Sequence, residues 1–242
     1  YPRFPSSAPP EATAVRFHHF FRSSSGVGGD FFDVFQISDS VAGVLICDVM
    51  GHGVRAALVA MILRTLVDDS HARATEPAKF LQELNRGISH ILKHTRLEIF
   101  VSACYLIADV ALGELRYANA GHPSPLCVHR AKRSAESLPL RRLNPDPVLG
   151  LFDDAEYHSL SCELCTGDIL LLFSDGLFEV EGIDGQYYDQ RRLLNAASQR
   201  VDLRADELCK ELISEVQQFA ATKEFADDVC LIAMEIDHLM TD

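Results

Sequence analysis

The chain has 242 residues, 48% of them hydrophobic and 24% charged, a composition that folds into a core rather than staying disordered. A net charge of −13 at pH 7 argues against nucleic acid as the partner, because phosphate backbones demand basic patches. No apolar run approaches the ~20 residues that a membrane-spanning helix needs. The seven cysteines, an odd number, lie mostly inside apolar runs and read as reduced thiols of a cytoplasmic protein. Cys162 and Cys165 form the one close pair, a weak metal signal without a second pair beside it.

Residues 1–12, rich in Pro and Ser, read as a linker or extended lead-in, and 13–242 as a single domain. The start at Tyr1 suggests a domain excised from a larger signalling protein. A strand is expected from Ala14 to Phe21, where the adjacent His18 and His19 face opposite sides and cannot easily share a metal. A loop over Ser23 to Gly29 then delivers Asp30. Phe31 to Ile37 and Val41 to Val49 read as a hairpin turning at Ser38-Asp39-Ser40. From Val54 to Val67 the chain is apolar around most of a helical circumference, which predicts a buried helix. Glu76-Pro77 opens a second helix, whose Phe80, Leu84, Ile88, Ile91 and Leu92 form one apolar stripe.

Glu98 to Val110 and Glu114 to Ala118 predict a second hairpin. Asn119-Ala120-Gly121-His122-Pro123 is a tight connection to a strand over Pro125 to His129. Residues 130–137 are polar and basic and read as a surface loop, followed by a short strand from Leu138 to Leu143. Glu156 to Leu164 and Asp168 to Ser174 are expected to pair with each other around Thr166-Gly167. Tyr188 to Arg200 and Leu203 to Thr222 read as helices, the second with Leu208, Leu212, Val216 and Phe219 on one face. Val229 to Ile236 is the closing strand. Strand-rich blocks separated by helix pairs predict antiparallel sheets with helices packed outside, an α+β layered domain.

Four carboxylate sites stand beside apolar strands: Asp30 before a strand, Asp48 and Asp175 after one, and Asp227-Asp228 at the entry of another. Acids at strand ends can converge at one rim of a sheet. Hard divalent cations take oxygen ligands, and Mg²⁺ uses only a few carboxylates. Asp30, Asp48, Asp175 and one of Asp227 or Asp228, with a peptide carbonyl beside Asp48, would make such a set. Two cations ~3.5–4 Å apart lower the pKa of a water and clamp a phosphoryl group. Turn-forming Asp beside Gly is the plainer reading of each site taken alone.

Gly28-Gly29-Asp30-Phe31-Phe32-Asp33, Asp48-Val49-Met50-Gly51-His52-Gly53, Asn119-Ala120-Gly121-His122-Pro123, Ser174-Asp175-Gly176 and Asp227-Asp228 occur in this order. The series resembles the SpoIIE/RsbU-like branch of the metal-dependent protein phosphatase 2C family, over residues 14 to 236. The resemblance implies an αββα sandwich, two Mn²⁺ or Mg²⁺ ions at one rim, and hydrolysis of phosphoserine or phosphothreonine on a protein. It implies Asp48, Asp175 and Asp227 as catalytic metal ligands, Asp48 bridging the ions with help from the Val49 carbonyl. Asp30 would bind directly or through water, with Asp228 and Asp33 as second choices. His52 lies four residues after Asp48, where the eukaryotic branch has a His two after, so no acid role transfers to it. His122 is expected mainly to shape the fold.

The partners so implied are a phosphorylated protein of the anti-sigma-factor antagonist type and an upstream sensor or receiver domain, and a homodimer stays open. The other reading is a non-catalytic signalling module with the same fold. Gly-Gly-Asp-Phe-Phe also resembles the Gly-Gly-Asp-Glu-Phe loop of diguanylate cyclases, but Phe31 stands where that chemistry needs an acid.

Overall fold

The computed structural model describes residues 14–24, 26–70, 74–93, 99–141, 145–222 and 225–240. The expected lead-in over 1–12, and the ends of the expected strands at Glu98 and Leu143, lie outside them. Twelve strands and four α-helices are described. The first block is β1 (Val15–Arg22), β2 (Phe31–Gln36), β3 (Val41–Val49), α1 (Val54–Ser70) and α2 (Pro77–Leu92). The second is β4 (Val101–Asp109), β5 (Glu114–Ala120), β6 (Leu126–His129), β7 (Ser134–Ser137), β8 (Leu160–Glu163) and β9 (Ile169–Phe173). The last comprises β10 (Val180–Glu181), β11 (Tyr187–Tyr188), α3 (Gln190–Ser198), α4 (Ala205–Phe219) and β12 (Val229–Ile236).

Two five-stranded antiparallel sheets carry the molecule, one in the order β1-β12-β9-β6-β7 and the other in the order β2-β3-β4-β5-β8. Side-chain alternation decides the layers. In β3, Leu45, Cys47 and Val49 join the core with α1 and α2, while Val44 and Ile46 face the layer between the sheets. In β9, Ile169, Leu171 and Phe173 join α3 and α4, while Leu170 and Leu172 face inward. β12 does the same with Leu231 outward and Cys230, Ile232 and Met234 inward. Strands apolar on both faces must be covered on both. The result is helix pair, sheet, sheet, helix pair, the expected αββα sandwich.

Most elements fall where periodicity puts them. Pro77 opens α2 at its first turn, where no backbone N–H is needed, and Phe80, Leu84 and Ile88 of its stripe are buried. Four expectations are corrected. The helix after Gly53 is not buried all round: Ala56, Val59, Leu63 and Val67 face the sheet, but Val54, Leu58 and Met61 are 68%, 56% and 68% exposed. One sheet face can cover only one stripe of a helix. Residues 130–137 are not a loop, since a tight turn at Arg130–Arg133 leads into β7, paired with β6. The strand expected from Leu138 does not form over Leu138–Arg141. β8 and β9 do not pair with each other either. β8 pairs β5 in one sheet and β9 pairs β6 and β12 in the other. The turn at Gly167 thus crosses between layers rather than closing a hairpin.

Candidate metal centre

The parity that builds the core also aims the acids. Asp48 lies two residues beyond Ile46, so its side chain continues the inward-facing row of β3 just where that row runs out. Ser174 continues Leu170 and Leu172, Asp228 precedes Cys230, and Asp30 precedes Phe32 in the same sense. The C-terminal ends of β3 and β9 and the N-terminal ends of β2 and β12 meet at one rim, as the antiparallel registers require. Beyond Asp48, Gly51 and Gly53 hold φ of +92° and +77°, a region that glycine enters without strain. This permits the sharp passage from β3 into α1.

Crowding defines the site. Asp30 is 7% exposed. Burial, and then the charges of Asp48, Asp228 and Asp175, push its carboxyl up to about 8, against a hydrogen bond from Ser174. Burial and the charges of Asp175, Asp227, Asp228 and Glu179 push Asp48 up to about 7. Burial, Glu179 and Asp227 raise Asp175 as well. Asp30, Asp48, Asp175, Asp227 and Asp228 therefore lie near enough for their charges to act on one another. A buried group of like charges is unfavourable unless protons or cations neutralise it. Oδ2 of Asp30 is buried with no hydrogen-bond partner among the described residues. An orphaned carboxylate oxygen inside an acidic cluster fits a hard divalent cation.

The remaining expected residues divide. The Val49 carbonyl oxygen lies against the Gly29 backbone, 2.9 Å from where a Cβ there would stand, so it borders Asp30. Asp228 accepts hydrogen bonds from the Ser24 backbone N–H and Gly29 N–H, both at 2.8 Å, and from the Ser24 hydroxyl at 3.2 Å. Its carboxylate thereby pins the loop that carries Asp30. Asp33 faces away, toward Arg64 of α1 at 3.5 Å. His52 is exposed at the mouth of α1. His122 is buried, and burial lowers its pKa to about 3. Its Nδ1 pairs with the Ser102 hydroxyl at 2.8 Å, and Ser102 is the cross-strand partner of Asp48.

Glu179 was not foreseen from the sequence. A one-turn 3-10 helix at Asp175–Leu177 brings the Glu179 N–H to the Asp175 carbonyl at 2.8 Å, folding the acid back over the rim. The spacing of four from Asp175 was the available signal. Beside them opens a cavity of about 350 Å³ lined by Asp175, Gly176, Glu179 and Asp227.

Comparison with known proteins places this architecture. The chain is 26% identical over 223 residues to phosphoserine phosphatase RsbP of Bacillus subtilis, covering 92% of this chain and 52% of that protein. It thus spans about half the length of such a relative. The SiaA-PP2C domain of Pseudomonas aeruginosa superposes with a TM-score of 0.80 at 20% identity, covering 91% of this chain and 86% of that one. The RsbU and RsbW domains of a Mycobacterium tuberculosis protein give a TM-score of 0.76 at 25% identity, covering 93% of this chain and 61% of that one. The fold is therefore that of the protein phosphatase 2C domains. Residues 38–237, most of the sandwich and all of the rim except Asp30, match the model of stage II sporulation protein E, and the chain belongs to that SpoIIE family.

Proposed function

We propose that this chain is a metal-dependent serine/threonine phosphoprotein phosphatase of bacterial signalling. The observation that carries the reading is the convergence of Asp30, Asp48, Asp175 and Asp227 at one rim, where burial and the neighbouring charges raise the carboxyls of Asp30, Asp48 and Asp175. Two Mn²⁺ or Mg²⁺ ions suit that donor set. Asp48, Asp175 and Asp227 would hold them, with Asp30 and the Val49 carbonyl completing the set. Bound there, such ions supply a water of lowered pKa and neutralise charge on a phosphoryl group. The chain's own residues do the positioning. Asp228 fixes the loop of Asp30, and Ser102 with His122 backs the strand end that carries Asp48. The cavity beside Asp175, lined also by Gly176, Glu179 and Asp227, gives a phosphorylated side chain a way to the rim.

The natural substrate in this reading is a phosphorylated protein of the anti-sigma-factor antagonist type, and an upstream sensor or receiver domain regulates the site. The test is phosphate release from p-nitrophenyl phosphate and from a phosphoserine protein with Mn²⁺, with Mg²⁺ and with EDTA. Metal-dependent turnover is expected, falling in Asp175→Asn by ~100-fold, equivalent to ~3 kcal/mol of transition-state stabilisation. Turnover that survives EDTA, or is unchanged in Asp175→Asn, rejects the mechanism. Metal binding with no turnover of either substrate favours the non-catalytic module.

A further inference from the structure

A second cluster of ligand-type side chains lies at the other end of the inter-sheet layer. Asp168 precedes β9 and Ser174 follows it, so the two ends are ~20 Å apart at ~3.3 Å per residue. Cys127 and His129 are two residues apart on β6 and point to the same side, the side of the inter-sheet core to which Cys127 belongs. Asp168 stands next to them because Ile169 of β9 pairs with Val128 of β6. All three residues are buried.

The geometry is close to that of a filled site. Cys127 Sγ lies 3.7 Å from His129 Nδ1, and Asp168 Oδ1 lies 3.0 Å from the same nitrogen. One ligand atom from each residue falls within 4.8 Å of the others. A tetrahedral zinc ion, with bonds of ~2.0–2.3 Å, sets its ligands ~3.3–3.6 Å apart. The two separations from His129 Nδ1 lie within a few tenths of an ångström of that range, and Sγ and Oδ1 are within 4.8 Å of each other. The surrounding groups suit it too. His129 Nε2 faces Glu136 Oε1 at 3.2 Å, and Asp168 Oδ2 accepts from the Cys165 backbone N–H at 3.0 Å. A ligating histidine commonly gives its second ring N–H to a carboxylate, and ligating carboxylates are themselves hydrogen-bonded.

The His129 ring sits between two carboxylates, an arrangement that an imidazolium satisfies with its two N–H groups. A cation held by Nδ1, Sγ and Oδ1 takes the place of the Nδ1 proton and leaves the Nε2 proton for Glu136.

We propose that Cys127, His129 and Asp168 bind one zinc-type divalent cation, with a water in the fourth position, at a site separate from the carboxylate rim. Thiolate and imidazole select zinc, whereas an all-oxygen set selects Mg²⁺ or Mn²⁺, so one fold sorts two kinds of cation to its two ends. Binding displaces the Cys127 thiol proton to solvent. The ion clips the short β6, and β7 beyond it, to β9. The proposal does not depend on the phosphatase reading.

The experiment is metal analysis of the intact chain after exposure to zinc and removal of the excess, together with the absorption spectrum after loading with Co²⁺. One zinc per chain is expected in the wild type and in Asp175→Asn, whose rim is disabled. Co²⁺ should give a sulfur-to-metal charge-transfer band. Both zinc and band should be lost in Cys127→Ser and in His129→Gln, while Mn²⁺ binding at the rim persists. Zinc retained by Cys127→Ser and His129→Gln, or lost in Asp175→Asn alone, overturns the assignment. Should either cluster variant fail to fold, the spectrum of a Cys162→Ser/Cys165→Ser variant decides: no charge-transfer band with Co²⁺ overturns it, and a band supports it.

Discussion

Asp227 and Asp228 are neighbours in sequence, yet their carboxylates meet different surroundings. Asp227 lines the cavity beside Asp175, while Asp228 is 5% exposed and spends its oxygens on Ser24 and Gly29. The fit around it is close: a Cβ on Gly28 would stand 2.2 Å from Asp228 Oδ2, and one on Gly176 would stand 2.1 Å from the Asp228 carbonyl oxygen. Hydrogen bonds to a charged group contribute ~1.5–3 kcal/mol each. Asp228→Ala is therefore expected to lose about 2 kcal/mol or more of stability, read as the urea midpoint. It should also weaken Mn²⁺ binding by releasing the loop of Asp30. An unchanged midpoint and an unchanged Mn²⁺ isotherm would show that Asp228 does not hold the loop.

At the scale of elements, α1 is the instructive case. Its composition is apolar on nearly every side, and the sandwich uses only the stripe through Ala56, Val59, Leu63 and Val67. Leu63 is fully buried and Leu58 is 56% exposed. Leu63→Ala should cost ~2–5 kcal/mol, as deletions in a packed core do. Leu58→Lys should move stability by less than ~0.5 kcal/mol, as surface changes do. Thermal denaturation of the two variants separates them. Equal losses would mean that the outer face of α1 is covered in this chain. From sequence the two leucines look alike, because periodicity cannot distinguish a helix covered on one side from one covered all round.

At the scale of the whole molecule, the rim sets a tension between stability and charge. An unfolded chain releases carboxyl protons near pH 4, whereas Asp30 and Asp48 keep theirs up to about 8 and about 7. Between those values the folded state binds more protons than the unfolded one, so this contribution to stability declines as pH rises. Cations neutralise the ionised form and remove the decline. The thermal midpoint in EDTA should therefore fall between about pH 5 and pH 8. Mn²⁺ should raise it most at the alkaline end. At a hundred times its dissociation constant a ligand adds ~2.7 kcal/mol, or ~5–10 °C for a chain of this size. A midpoint that ignores pH in EDTA, or a gain from Mn²⁺ that is the same at both ends, would contradict the linkage.

Sequence by itself determined the layers and the acids. Strand periodicity and paired helical blocks predict antiparallel sheets with helices packed outside, because each apolar face must find a cover, and the family resemblance implies the two-sheet sandwich. Acids at the ends of apolar strands mark a rim, because carboxylates resist burial in the core unless neutralised. Only the tertiary structure decided which strands share a sheet, and it sent β8 and β9 to different ones across a turn that reads locally as a hairpin. It also decided that Asp228 faces the loop of Asp30 and that Glu179 folds back over Asp175. And it alone set Asp168 beside His129, 39 residues further along the chain. Pairings of that kind arise from register between strands distant in sequence, which no local pattern of side chains encodes.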